Sequence, residues 1–169
     1  MPLDIPFTVR DALPADIPGI MRLKVELAIA DDIADTVEAT AADWERDGFG
    51  PNARFIIFVA VCAGRLVGIA ICAERYFPGW VGANIALLDL YVEQDHRGRG
   101  VGTALLMRVA ALAKGRRSVM VELAMRAGNR AAALYERLGF VQVTDARIYV
   151  VSGGALDRLA TPARARLVR

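Results

Sequence analysis

Histidine and cysteine are nearly absent: the 169 residues contain one His and two Cys. His96 has no Cys or His partner at metal-ligand spacing, so no metal site is expected. Cys62 and Cys72 sit in apolar runs that form a hairpin pattern, with Cys62 opposite about Leu66. Cys72 then lies about six residues further on, roughly 20 Å away at ~3.3 Å per residue and beyond disulfide reach. Two reduced, buried thiols in a cytoplasmic protein are expected, and neither is placed to be a thiolate nucleophile. Charge of one sign is also missing. The 21 basic against 19 acidic residues argue against a mainly electrostatic nucleic-acid binder. Long apolar runs are missing too: Gly64 and Arg65 divide Phe55–Ala63 from Leu66–Ala73, and each falls far short of the ~20 residues of a membrane span. The opening M-P-L-D-I-P-F lacks the basic-then-apolar order of a secretory signal, and export is not expected. There is no internal repeat, and a content of 55% hydrophobic residues suffices for one domain over residues 1–169.

The patterns that are present suggest a fold. Phe7–Arg10 reads as a strand, and Ile20, Leu23 and Leu27 recur at helical spacing after D-A-L-P-A-D-I-P-G. Between Asp31 and Asp47 lie Asp31, Asp32, Asp35, Glu38, Asp43, Glu45 and Asp47 against only Arg46, the pattern of an acidic amphipathic helix or lid. The Phe55–Ala73 hairpin turns at Ala63-Gly64-Arg65. A strand over Ile85–Val92 precedes a glycine-spaced loop, and a helix follows over Thr103–Ala113 with Leu105, Leu106, Val109 and Leu112 on its apolar side. Ser118–Met125 reads as a strand, and Asn129 is placed to cap a helix over Arg130–Leu138 that Gly139 stops. Phe140–Thr144 and Ile148–Ser152 read as two further strands, and the basic end, residues 155–169 with Arg158, Arg164, Arg166 and Arg169, as a solvated tail. The order β-α-α-β-β-β-α-β-α-β-β predicts an α/β fold. Its mixed, mostly antiparallel sheet has about seven strands, about four flanking helices and one β-α-β crossover.

That crossover contains Y-V-E-Q-D-H-R-G-R-G-V-G, Tyr91 to Gly102. A strand running through glycines into a helix builds an anion site, because the helix N-terminus carries unpaired N–H groups and the positive end of its dipole. Gly98, Gly100 and Gly102 permit φ > 0 and close approach, while Arg97 and Arg99 add charge-assisted donors. A pyrophosphate ligand is expected. A nucleoside-triphosphate loop would need a lysine after its last glycine, and Thr103 stands there. A dinucleotide loop would need a glycine at 103, although Glu122 lies about 20 residues on, where an acid can bind ribose.

Arg97 to Gly102 matches the pattern [QR]-x-x-G-x-[GA], and N-R-A-A-A-L-Y-E-R-L-G-F, Asn129 to Phe140, matches N-x-x-A-x-L-Y-x-x-x-G-F. With both motifs in order, the chain resembles the GNAT superfamily of N-acetyltransferases, closely over residues 87–143 and loosely before Leu66. The resemblance implies a GNAT-like acyl-CoA N-acyltransferase fold with acetyl-CoA as co-substrate and no metal. It implies that the strand before the loop splays from its neighbour at a bulge, that backbone groups of Leu90, Tyr91 and Val92 pair with the pantetheine amides, and that an N–H near Tyr91 or Val92 polarises the thioester carbonyl. It assigns the pyrophosphate to Arg97, Gly98, Arg99, Gly100, Val101, Gly102 and Thr103. Asn129 would contact the pantetheine arm, a position helix capping explains equally well, and Tyr135 would be the acid facing the CoA sulfur.

Some relatives carry a glutamate base where this chain has Leu88. Asp89 is then the leading candidate, on the opposite face from Leu88 and Leu90 by strand alternation, with Glu122 and Glu74 behind it. The acidic Asp31–Asp47 segment falls where relatives cover the acceptor, and Trp44, Phe49, Tyr76, Phe77 and Trp80 are candidate walls. The reaction implied is direct acetyl transfer in a ternary complex to a primary amine of a small molecule or peptide, cationic amines being the class an acidic cover would attract. The alternative is a non-catalytic acyl-CoA sensor, which Leu88 favours. A homodimer through the late strands is the expected assembly, with neither nucleic acid nor membrane as partner.

Overall fold

In the computed structural model the described residues are 6–33, 37–76 and 83–161. The chain divides into two compact units, Met1–Asn129 and Arg130–Arg169. The first holds a five-stranded sheet whose spatial order follows the sequence: β1 (Phe7–Asp11), β2 (Ile56–Cys62), β3 (Arg65–Tyr76), β4 (Ala83–Val92) and β5 (Val121–Leu123). Strands β1 to β4 are antiparallel, and β4 and β5 are parallel. Ala63 (φ 48°) and Gly64 (φ 77°) both adopt left-handed backbone, the geometry that suits a tight hairpin between β2 and β3.

The near-continuous apolar runs of β2 and β3 follow from burial on both faces. Helices α1 (Ile17–Ala30) and α2 (Ala41–Gly48) belong to one face, where Ile20, Leu23 and Trp44 cluster with Ile57, Val59, Ile69 and Ile71. Trp44 meets Phe55 edge-on at 5.4 Å. A reciprocal capping box starts α2: Asp43 N–H donates to Thr40 Oγ1 at 3.3 Å, and Thr40 N–H donates to Asp43 Oδ2 at 2.9 Å.

Helix α3 (Val101–Gly115) packs on the other face through the fully buried Leu105 and Val109. It comes close because β3 has a glycine beneath it. A Cβ at Gly68 would stand 3.0 Å from Tyr91 O and 3.2 Å from Leu105 Cδ1. Leu105→Ala should therefore cost about 2–5 kcal/mol of stability in urea denaturation; a loss under ~1 kcal/mol would contradict this packing.

Several sequence expectations are corrected. Residues 140–152 form neither strand, and Val141, Val143, Ile148, Tyr149 and Val150 are exposed. Their β-branched and aromatic side chains suit a strand, but a strand also requires a neighbouring ladder, and none is formed there. Among the described residues the sheet thus has five strands instead of about seven, and the helices number five, because α5 (Gly153–Ala160) overlaps the start of the stretch read as tail.

Helix α4 spans Ala132–Arg137 with Ala131 as its N-cap, so Asn129 is not the cap. Asn129 instead closes a turn, its N–H donating to Arg126 O at 3.2 Å beside left-handed Gly128. Gly139 (φ 88°) ends α4 as expected. The acidic helix begins only at Ala41, with residues 34–36 outside the described ones. The Ser118–Met125 strand shortens to Val121–Leu123.

Cys62 faces Arg65 and Cys72 faces Ile56 across the hairpin; both thiols are free and buried. Burial pushes the Cys72 thiol up to about 11, which suits packing and not nucleophilic attack. Among the described residues no helix is long and apolar enough to cross a membrane, and no group of three or more His, Cys, Asp or Glu could hold a metal ion.

Candidate active site

Strand β4 is paired unequally along its two edges. On one side β3 accompanies it from Gly68↔Val92 to Tyr76↔Ala83. On the other, β5 pairs only at Ile85↔Val121, Ala86↔Glu122 and Leu87↔Leu123. Immediately beyond, Cys72 faces Leu87 while Ile71 faces Asp89, leaving Leu88 as the extra residue of a bulge. Bulges bend a strand and increase its twist, and here the bulge coincides with the end of the β4–β5 ladder. From Leu88 to Val92, including Leu90 and Tyr91, the outer edge of β4 has no ladder partner among the described residues, the kind of edge a strand-like ligand can join.

The open edge leads into the glycine loop. Residues Gln94–His96 make a 3-10 turn, Gly98 has φ 72°, and Gly100 has φ 82° as the left-handed N-cap of α3. Gly102 lies inside the helix, so only two of the three glycines use positive φ. The helix ladder starts with Ala104 N–H donating to Gly100 O at 2.9 Å. That leaves the N–H groups of Val101, Gly102 and Thr103 at the positive end of the dipole, without partners in the ladder. No atom outside the adjacent residues lies within 4 Å of where a Cβ would sit on Gly98 or Gly100, so the cradle is clear.

The two arginines differ. Arg99 is exposed. Arg97 folds back: its Nε donates to Val92 O at 2.9 Å, and its guanidinium stands 5.4 Å from the Tyr91 ring centre.

Sequence reasoning missed what anchors this loop. Glu93 is only 7% exposed, and its carboxylate accepts from Arg22 Nη1 at 2.5 Å and Arg65 Nη1 at 3.1 Å, with His96 Nδ1 at 3.4 Å. Arg22 also donates to Glu26 at 2.7 Å and to Leu66 O at 2.7 Å. A buried carboxylate persists only when compensated in this way. The ionic cluster thus ties the start of the loop to α1 and β3. Arg22 lies 71 residues from Glu93, so no local signal announced the pair.

The sheet face under α1 holds a second ionic arrangement. Lys24 Nζ donates to both oxygens of Asp89 at 2.9 Å. Leu90 faces Ala70, on the side opposite Asp89 as alternation predicts, whereas Leu88 falls outside the alternation and is 54% exposed. The Lys24–Asp89 pair borders a cavity of about 170 Å³ whose other lining includes Asp31, Glu38, Leu27 and Trp44. The available signal was a lysine at helical spacing from Ile20 and Leu27, inside an apolar stripe. Of the other candidate walls, Phe49 packs on the core and Tyr76 is exposed, while Phe77 and Trp80 lie outside the described residues. Glu74 is ion-paired with Arg116 at the end of α3, and Glu122 has Arg75 at 3.5 Å.

In the second unit, Tyr135 is 9% exposed and meets the Phe140 ring edge-on at 5.5 Å. Burial raises its phenol above the ordinary value, so it remains a protonated donor at neutral pH.

A parallel crossover whose strands part at a bulge, beside a helix capped by left-handed glycine, defines an acyltransferase that draws its acyl group from a long, strand-like, phosphate-bearing carrier. The sequence model of the Acetyltransferase (GNAT) family matches residues 25–140, and the chain belongs to that family; it is an N-acetyltransferase, and acetyl-CoA is the family's co-substrate. It is 39% identical over 114 residues to human spermidine/spermine N(1)-acetyltransferase-like protein 1, covering 63% of this chain but 16% of that protein. Over 147 residues it is 31% identical to the thialysine N-epsilon-acetyltransferase of Sus scrofa, covering 82% of this chain and 86% of that one. An integron cassette protein from V. cholerae shares the fold with a TM-score of 0.76 at 18% identity, over 92% of this chain and 98% of the other.

Proposed function

We propose that the protein transfers the acetyl group of acetyl-CoA directly to a primary amine of a small cationic molecule or peptide within a ternary complex. The observation carrying this reading is the parting of β4 from β5 at Leu88, directly upstream of the Gly98–Gly100 helix cap. Leu90, Tyr91 and Val92 offer backbone to the pantetheine arm. An N–H near Tyr91 or Val92 stabilises the developing oxyanion, a contribution of about 3 kcal/mol in other acyl transfers. The α3 N-terminus, from Arg97 to Thr103, receives the pyrophosphate, and Asn129 flanks the arm. Tyr135 donates a hydrogen bond to the departing sulfur. Full proton transfer would be uphill by about 2 kcal/mol, from a phenol near 10 to a thiol near 8.5, so stabilising the thiolate is its task.

The acceptor enters on the α1 face. Asp31, Glu38 and Asp89 outnumber Lys24 around the cavity there. Asp43 of α2, hydrogen-bonded by Thr40 and then by Arg46, is lowered to about 2 and stays charged throughout any assay. This field favours cations. The relatives' names, spermidine/spermine and thialysine, are those of amines and support the same acceptor class. Free, buried Cys62 and Cys72 support a reducing, cytoplasmic setting, and the exposed apolar side chains from Val141 to Val150 support a homodimer.

Incubation with acetyl-CoA and a panel of primary amines, following free thiol, tests the reading. Polyamines and lysine-like amines are expected to outperform carboxylate-rich amines, with kcat/KM falling as salt rises. Acetyl-CoA binding without thiol release across the whole panel would replace the enzyme with an acyl-CoA sensor.

A further inference from the structure

We propose that Glu122 of β5 takes the proton from the acceptor amine, filling the role of the acid that is missing at Leu88. The inference rests on the acetyltransferase reading and names a catalytic group within that site. An alkylammonium must lose a proton to attack, and Leu88 cannot accept one. Its neighbour Asp89 has both oxygens committed to Lys24 at 2.9 Å.

The strand register places Glu122 at the gap. It faces Ala86, one pair before the β4–β5 ladder ends at Leu87↔Leu123. Ala86 in turn faces Ala73 on β3, and Asp89 faces Ile71. Residues 71, 73 and 75 alternate onto one side of β3, so Glu122 and Asp89 share the face that carries α1 and the acidic cavity. Contacts agree: Asp89 reaches Lys24 of α1, and Glu122 reaches Arg75. The helix N-terminus that would hold the pyrophosphate belongs to α3 on the opposite face. An amine in the cavity thus meets the thioester from the side where Glu122 stands.

Glu122 also differs from the other acids around the site in its bonding. Glu93 and Glu26 accept hydrogen bonds of 2.5 and 2.7 Å from Arg22, and Glu74 is held by Arg116. Glu122 Oε1 is buried without a hydrogen-bond partner, and its ion-pair partner Arg75 stands 3.5 Å away with a 60% exposed side chain. The Glu122 side chain is itself 26% exposed, so water reaches it. Two or three residues of strand separate it from the level of Asp89, roughly 7–10 Å at ~3.3 Å per residue, a span that the side chain and one water cover. The other charged groups on this face include Arg75, Asp89 and Lys24, the cavity acids Asp31 and Glu38, and Arg126, which donates to Asp31 O.

In the balanced step, the acceptor ammonium gives one proton through that water to the Glu122 carboxylate. The nitrogen forms its bond to the acetyl carbon and becomes positively charged. It gives its second proton to solvent water as the carbon–sulfur bond breaks, and the electron pair leaves with the CoA sulfur as thiolate, leaving a neutral amide. Glu122 then releases its proton to solvent.

The test compares wild type, Glu122→Gln, Asp89→Asn and Arg75→Gln on two acceptors at pH 7: an alkylamine, protonated there, and a hydrazide, already neutral. Glu122→Gln is expected to lower kcat about 100-fold on the alkylamine, with the acetyl-CoA KM within about 3-fold and a rate that keeps climbing with pH. On the hydrazide the loss should shrink below about 5-fold. Arg75→Gln, which removes the ion pair and leaves the acid, should keep kcat within about 5-fold. The proposal is overturned if Glu122→Gln stays within about 3-fold of wild type, or if its loss is equal on both acceptors. It also falls if Arg75→Gln reproduces that loss, or if Asp89→Asn alone shows the acceptor-dependent defect. A wild-type protein that releases no thiol with any amine would instead remove the acetyltransferase reading, and this inference with it.

Discussion

Replacing Gly100 with valine is expected to raise the KM for acetyl-CoA about 100-fold while kcat at saturation stays within a few-fold. Gly100 caps α3 at φ 82°, a left-handed conformation that costs a β-branched residue about 1–3 kcal/mol. Relief of that strain requires the peptide to rotate, and rotation swings the N–H groups of Val101, Gly102 and Thr103 away from a common focus. The space where the new side chain would project is otherwise clear, which is the space a phosphate needs. A 100-fold change corresponds to about 2.7 kcal/mol, in keeping with strain and lost anion contacts acting together. Steady-state KM measured beside a calorimetric Kd checks it. A folded variant with an unchanged KM would show that the pyrophosphate binds elsewhere.

The second large effect is expected from Tyr135→Phe: kcat lower by about 30-fold, with acetyl-CoA affinity nearly unchanged. A hydrogen bond to a charged group contributes about 1.5–3 kcal/mol, which spans 10-fold to somewhat over 100-fold in rate. The ring's edge-on contact with Phe140 survives the change, so the melting temperature should barely move. Because burial raises the phenol above its usual value near 10, its ionisation should not produce a falling limb below about pH 10 in the wild-type profile. Unchanged turnover on a good acceptor would remove Tyr135 from the mechanism.

The backbone geometry at Gly100 was legible in the chain because it is local, whereas the role proposed for Tyr135 came from its resemblance to a family motif. Left-handed backbone at Gly98 and Gly100, the helix that follows, the Ala63-Gly64 hairpin and the stop at Gly139 each depend on sterics and hydrogen bonds within a few residues. So do the apolar runs of β2 and β3, whose burial on two faces is written in their composition. Local pattern misled at residues 140–152, where strand-like residues found no ladder, and the capping preference of Asn misled at Asn129, whose backbone was taken by a turn before the helix began.

What tertiary structure alone decided is how distant segments meet. Leu88 becomes a bulge because β3 and β5 impose registers that a single strand cannot encode, and the bulge moves Leu87 onto the same face as Leu90. Asp89, the leading base on alternation, turned out to be held by a lysine 65 residues away, while Glu93 took two arginines from α1 and β3. Ion pairs of that kind depend on which helix lies over which strand, so a single chain read in order carries the charges but not their partners. Sequence by itself therefore determined the glycine loop and the helix end, the parts proposed to hold the acetyl donor. The face that Glu122 and Asp89 share, where the acceptor is proposed to enter, exists only once the sheet has been assembled.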